Sequence, residues 1–122
     1  MLMLTNFDRR GKRLADTMLA LGERDRWLAE AASRFLPDQS SRSAARILRT
    51  RLLRYQQGAW RRERTAETVP PRRRDRLDGH FWMILRARDH VPSERTIRAA
   101  INAKKSSDRL FLAHDADQDA AR

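Results

Sequence analysis

Arginines at positions 42, 46 and 49 recur at intervals of four and three residues, the spacing that brings side chains onto one face of an α-helix. Leu53 continues that face and Arg54 flanks it. A ladder of guanidiniums can grip phosphates, because each is a planar, permanently charged fork whose donors match two oxygens of an oxyanion. Arg61, Arg62, Arg72, Arg73 and Arg74 extend the cationic set, and Arg76 follows closely. Trp60 directly precedes Arg61. An aromatic set among cations is how single-stranded nucleic acid is held by stacking, while a core or hinge plug is the commoner use of such a residue.

The charge is localised. Residues 42–76 hold twelve Lys/Arg against three Asp/Glu, whereas residues 1–41 hold seven against six. Residues 106–122 reverse the sign, with two against four. A net charge of +11 concentrated in one stretch attracts polyanions and steers encounter with them. A surface designed only for solubility mixes its signs.

Little points to catalysis, and a non-enzyme is expected. His80, His90 and His114 lack metal-ligand spacing, and no cysteine is present, so no thiol nucleophile, disulfide framework or Cys-based zinc site arises. Asp75 and Asp78 lie about a turn apart but are flanked by arginines, the setting of surface ion pairs. His80 beside Phe81 and Trp82 reads as packing. No cofactor and no metal are expected. No apolar run is long enough to span a membrane, and MLMLTNF lacks the basic and apolar regions of a secretory signal, so the expected compartment is cytoplasmic. Attachment to an anionic lipid surface ranks third among the readings, because the apolar faces are needed for the core.

The elements that must position these arginines read as helices throughout, an all-α fold of five to six helices in one domain over residues 1–105. Phe7, Gly11, Leu14, Met18 and Leu21 predict a helix over 6–21, with Gly22 as its stop. Trp27, Leu28, Ala31 and Phe35 predict a second over 23–36, closed by Pro37, giving an N-terminal helical hairpin. A long Arg-rich helix follows over 41–57, with Ala44, Leu48, Leu52 and Tyr55 inward and Gly58 bending or ending it. Another turn is expected over 59–65, a helix over 72–89 with Leu77, Phe81, Ile84 and Leu85 inward, and a last helix capped by Ser93. Gly79 is a place where another element can approach closely. Residues 106–122 read as an acidic, flexible tail whose Leu110-Phe111-Leu112 triplet can dock on the core. Three arginines opening the helix at 72 oppose the helix dipole, which favours carboxylates there.

The stretch ARDHVPSERTIRAAI, Ala87 to Ile101, resembles a helix-turn-helix: a small residue on the first helix, a tight turn, a Ser cap, then Thr-Ile and a second apolar position. Val91 replaces the usual turn glycine and His90 an apolar residue. The resemblance implies that Arg95, Thr96, Arg98 and Asn102 project toward a major groove, where Arg reads guanine and Asn reads adenine. RYQQGAWRRERT in a small Arg-rich chain faintly resembles small proteins of bacterial phages and integrating elements, which transfers no residue's role. It adds a second expectation, an inhibitor or adaptor that binds an acidic host protein or nucleoprotein. The first expectation is a nucleic-acid-binding regulator or accessory factor, DNA ahead of RNA.

Overall fold

The computed structural model describes the backbone of residues 2–120 and the side chains of residues 11–110. Five α-helices make an all-α domain: α1 (Leu2–Phe35), α2 (Ser41–Gln57), α3 (Trp60–Glu63), α4 (Leu77–Ala87) and α5 (Glu94–Ala120), with a 3-10 turn at Pro71–Arg73. No strand occurs among the described residues.

The expected N-terminal hairpin is one helix of 34 residues. Gly22 does not stop it. A glycine ends a helix when the chain turns into left-handed backbone there, and no glycine among the described residues has positive φ. Its mid-helix cost of about 1 kcal/mol relative to alanine is outweighed by the good helix formers on either side and by tertiary packing. Only the second half of α1 builds the core. Leu28, Ala31 and Ala32 are buried, whereas Leu14 and Met18, expected inside, are 63% and 64% exposed. Phe35, Trp27 and Leu77, also expected inside, are half-buried at the core margin.

Ser40 caps α2, its Oγ accepting from the Ser43 amide at 3.1 Å. The helix closes at Gly58, whose N–H is shared between the Arg54 and Tyr55 carbonyls. Ala44, Ala45, Leu48, Leu52 and Tyr55 are buried as their spacing predicts. Leu52 has no exposed surface. Leu52→Ala should therefore destabilise the fold by about 2–5 kcal/mol, read as a lowered denaturation midpoint in urea.

The helix expected over 72–89 begins only at Leu77. Arg72 to Arg74 precede it, the chain turns at Asp75 (φ 60°), and Asp78 occupies the first helical turn. Starting late removes the conflict between three arginines and the helix dipole. Gly79 is needed where it stands: a Cβ there would collide with the Arg73 carbonyl. The central α4 buries Phe81, Trp82, Ile84 and Leu85 and packs on α1.

Ser93 caps α5, accepting from the Thr96 amide at 3.2 Å, and Ile97, Ala100 and Ile101 face the core. The helix continues past Lys105, through the acidic segment expected as a tail, to Ala120. Leu110 of the apolar triplet is 73% exposed, and the side chains of Phe111 and Leu112 lie outside the described residues.

Candidate functional site

Helices α2 and α5 pack side by side. At one end Lys105 Nζ donates to Ser41 Oγ at 2.9 Å, and at the other Gln56 Nε2 donates to Asp89 Oδ1 at 3.1 Å. With Lys105 near the start of α2 and Asp89, just before α5, near its end, the two helices run antiparallel. Their apolar faces share the core, so their opposite faces form one continuous outer surface. Arg42, Arg46, Arg95, Arg98, Asn102 and Lys105 are exposed there, and Arg49 is half-buried at the seam. Of the arginines expected to grip phosphates, Arg42, Arg46 and Arg49 thus lie on the layer that also carries Arg95, Arg98 and Asn102, expected to read bases.

That surface has little counter-charge of its own: Glu94, the first residue of α5, lies one turn before Arg98 without pairing with it. Neither residues 41–57 nor residues 95–105 contain an Asp or Glu. None of its cations forms an ion pair within 4.0 Å among the described residues. Aligned like charges repel, so a row of unpaired guanidiniums is stabilised by an anion from outside.

The arrangement around the second helix of the expected helix-turn-helix differs from that motif. Six residues, Arg88 to Ser93, connect α4 to α5, in place of a tight turn. Helix α4 packs on α1 and α5 packs on α2 and α1, without α4 and α5 lying along each other. Ala87, expected at their crossing, instead lines a groove with Leu19, Ala20 and Glu23 of α1. Thr96 is half-buried in the cap, its hydroxyl 3.1 Å from Ser93 Oγ, and does not share the open exposure of Arg95 and Arg98.

Two other expected site residues are structural. Trp60 is 5% exposed and its indole N–H donates to Asp89 Oδ1 at 3.1 Å, so it plugs the hinge after α2 and offers no stacking platform. Arg73 is held by Glu63 at 2.8 Å and Asp78 at 3.0 Å, which takes its guanidinium out of the free set. Arg72 lies 3.4 Å from Glu63 but stays largely in solvent. Arg54, Arg61, Arg62 and Arg74 are exposed.

Glu63 anchors this second region and was missed from sequence. It is buried, and it accepts from the Tyr55 hydroxyl at 3.0 Å as well as from Arg73. The Trp82 indole donates to its backbone carbonyl at 3.0 Å. Burial alone pushes the Glu63 carboxyl up, but hydrogen bonds from Arg73 and Tyr55 and the nearby positive charges outweigh it and hold the group below its ordinary 4.5. Burial, then the hydrogen bond to Glu63, push the Tyr55 phenol well above its ordinary value. A signal existed: Glu63 is one of only three carboxylates among twelve cations in residues 42–76, which invites ion pairing.

Between α2 and the arginine turn lies a cleft of about 630 Å³, with Arg51 and Arg54 on one wall and Arg73 and Arg76 on the other. A trough of about 370 Å³ along α2, lined by Arg46, Thr50, Arg51 and Arg54, adjoins it. Arg51 was not singled out in the sequence because it lies off the Arg42–Arg46–Arg49 stripe. His80 packs edge-on against Trp27 and Phe35, at centroid distances of 5.3 and 5.1 Å, as its aromatic neighbours predict. Among the described residues no cluster of His, Cys, Asp or Glu can hold a metal, and no helix is long and apolar enough to cross a membrane. Comparison of the chain with protein-family models, with curated proteins and with solved structures finds no match.

Proposed function

We propose that the protein binds nucleic acid through the outer face of the α2–α5 layer. One observation carries this reading: Arg42, Arg46, Arg49, Arg95, Arg98 and Lys105 lie on two packed helices that carry no carboxylate over residues 41–57 and 95–105. Phosphodiesters supply the missing charge at regular intervals, and arginine meets them with paired donors. Asn102 adds a side-chain amide on the same face, able to contact a base edge or a sugar-phosphate oxygen.

The mechanism is electrostatic. Each phosphate neutralised by an arginine releases a condensed counterion, so affinity should fall as salt rises. With four to five phosphates engaged on duplex DNA, the plot of log K against log salt should have a slope of about −4, at about −0.9 per contact. A salt titration of binding to duplex and single-stranded probes measures it. A flat salt dependence, or no binding at low salt, would transfer this face to an acidic protein partner, as in an inhibitor or adaptor.

A further inference from the structure

Independently of the nucleic-acid reading, we infer that the first half of α1 is a dimerisation arm that pairs antiparallel with the same segment of a second copy. Leu4, Phe7, Gly11, Leu14, Met18 and Leu21 are spaced alternately three and four residues apart. That is the seam of a coiled coil, in which a repeat averaging 3.5 residues keeps one stripe facing a partner helix. Asp25 ends the stripe, and Leu28, the next position in the same rhythm, is buried in the chain's own core.

The chain leaves this stripe uncovered. Residues 11–19 are exposed without exception, and Leu14 and Met18 keep 63% and 64% of their surface. The side of α1 that meets another element here is a different one, where Asp16, Leu19, Ala20 and Glu23 line a groove with Met83, Arg86 and Ala87. At about 100° per residue, Leu14 and Met18 stand about 160° from Asp16, so a partner on the stripe does not compete with α4. A lone helix of this length is marginal in water, and Gly11 and Gly22 weaken it further. Cover from a second helix stabilises it.

Gly11 identifies the partner. A Cβ there would meet nothing within 4 Å, so nothing inside the chain calls for a glycine. Two antiparallel segments with Gly11 facing Leu14 of the second copy also set Phe7 against Met18 and Leu4 against Leu21. The two-fold axis repeats each pair, every seam position meets a seam position, and the absent side chain of Gly11 leaves room for Leu14. A parallel pair would set Gly11 against Gly11 and leave a gap in mid-seam. It would also bring two chains of net charge +11 side by side, whereas the antiparallel pair holds their cores at opposite ends. Beside the antiparallel seam Asp8 faces Ala15 and Arg10 faces Thr17, so no like charges meet there. The larger seam side chains of two copies, at about 60–120 Å² of apolar surface each, bury about 600–1,200 Å². That range spans the value of about 1,000 Å² expected of a specific interface.

The test is sedimentation equilibrium of the full chain, freed of nucleic acid by nuclease and kept in high salt, where phosphate-bridged association is suppressed. The mass of two chains is expected, and Leu14→Asp with Met18→Asp should return it to the mass of one. Both positions are exposed in the single chain, and a thermal melt by circular dichroism checks that the core is retained. A second measurement does not depend on that variant. The chain has no cysteine, so introduced ones report the register. Phe7→Cys mixed with Met18→Cys should form a disulfide between copies on mild oxidation. Met18→Cys alone should not, because its two sulfurs would lie about 16 Å apart along the helices. The mass of one chain at every concentration up to about 1 mM, a dimer that survives the double aspartate, or a disulfide in Met18→Cys alone would overturn the inference. The salt titration of the α2–α5 face stands or fails separately.

Discussion

Replacing Glu63 with alanine is expected to cost about 3–5 kcal/mol, the penalty for removing one member of a buried charged cluster. The substitution leaves the half-buried Arg73 guanidinium short of its main partner and strips the Tyr55 hydroxyl of its acceptor. Domain stabilities are only about 5–15 kcal/mol, so the variant should be largely unfolded at modest urea concentrations. Urea denaturation followed by circular dichroism measures the effect, and a shift below about 1 kcal/mol would place the cluster among weak surface pairs. The same carboxylate gives the fold an acid limit. Its pKa is depressed below 4.5 when folded, so its contribution is fully present above that value and is lost as pH falls through the depressed one. Tyr55 acts in the opposite sense: its pKa is raised from 10.0, so its contribution is present below pH 10.0 and is lost as pH rises beyond. Glu63→Gln keeps the size of the side chain and removes its charge, and it should flatten the loss of stability as pH falls below 4.5.

The second large effect concerns binding. Reversing charge at two exposed positions, Arg46→Glu on α2 with Arg98→Glu on α5, should lower affinity for every nucleic acid probe by about a hundredfold or more at 50 mM salt. Each lost phosphate contact removes about one log unit of counterion-release contribution at that concentration, and the new carboxylates add repulsion. Both positions are exposed, so the thermal midpoint should stay close to that of the unmodified protein. The two single reversals separate roles. Comparable losses on all sequences from each would make Arg98 a phosphate contact like Arg46, whereas loss confined to preferred sequences from Arg98→Glu would make it a base reader.

The helical character of the chain and most of its core were legible in the sequence because they rest on local periodicity. Leu48, Leu52, Phe81, Ile84 and Ile97 recur at helical spacing, and all are buried. What could not be read is what depends on partners distant along the chain. Leu14 and Met18 have the right spacing, yet they stand on a side of α1 that stays exposed. Trp60 sits among cations in the sequence, yet Asp89, 29 residues away, takes its indole N–H. The antiparallel packing that brings the arginines of α2 and α5 into one layer depends on contacts such as Lys105–Ser41, 64 residues apart. Spacing within a helix reveals a stripe; only the neighbouring helix shows whether the stripe is covered or extended.

The placement of α1 has a consequence for how the chain matures. Its main partners, α4 and α5, follow α2 and α3 in the sequence, so the core half of α1 lacks most of its packing until Leu77–Ile101 have been made. At about 5–20 residues per second, synthesis from Phe35 to Ile101 takes several seconds. Throughout that interval Leu28 and Ala31 on α1 and Leu48 and Leu52 on α2 lack their final cover. The nascent chain gains most of its positive charge in those same seconds, since the arginines of residues 42–76 are made within them. Mutual repulsion between unfinished copies then opposes aggregation while the apolar surface is open. The cationic stretch proposed to hold nucleic acid in the finished protein would first serve to keep the unfinished one apart from its neighbours.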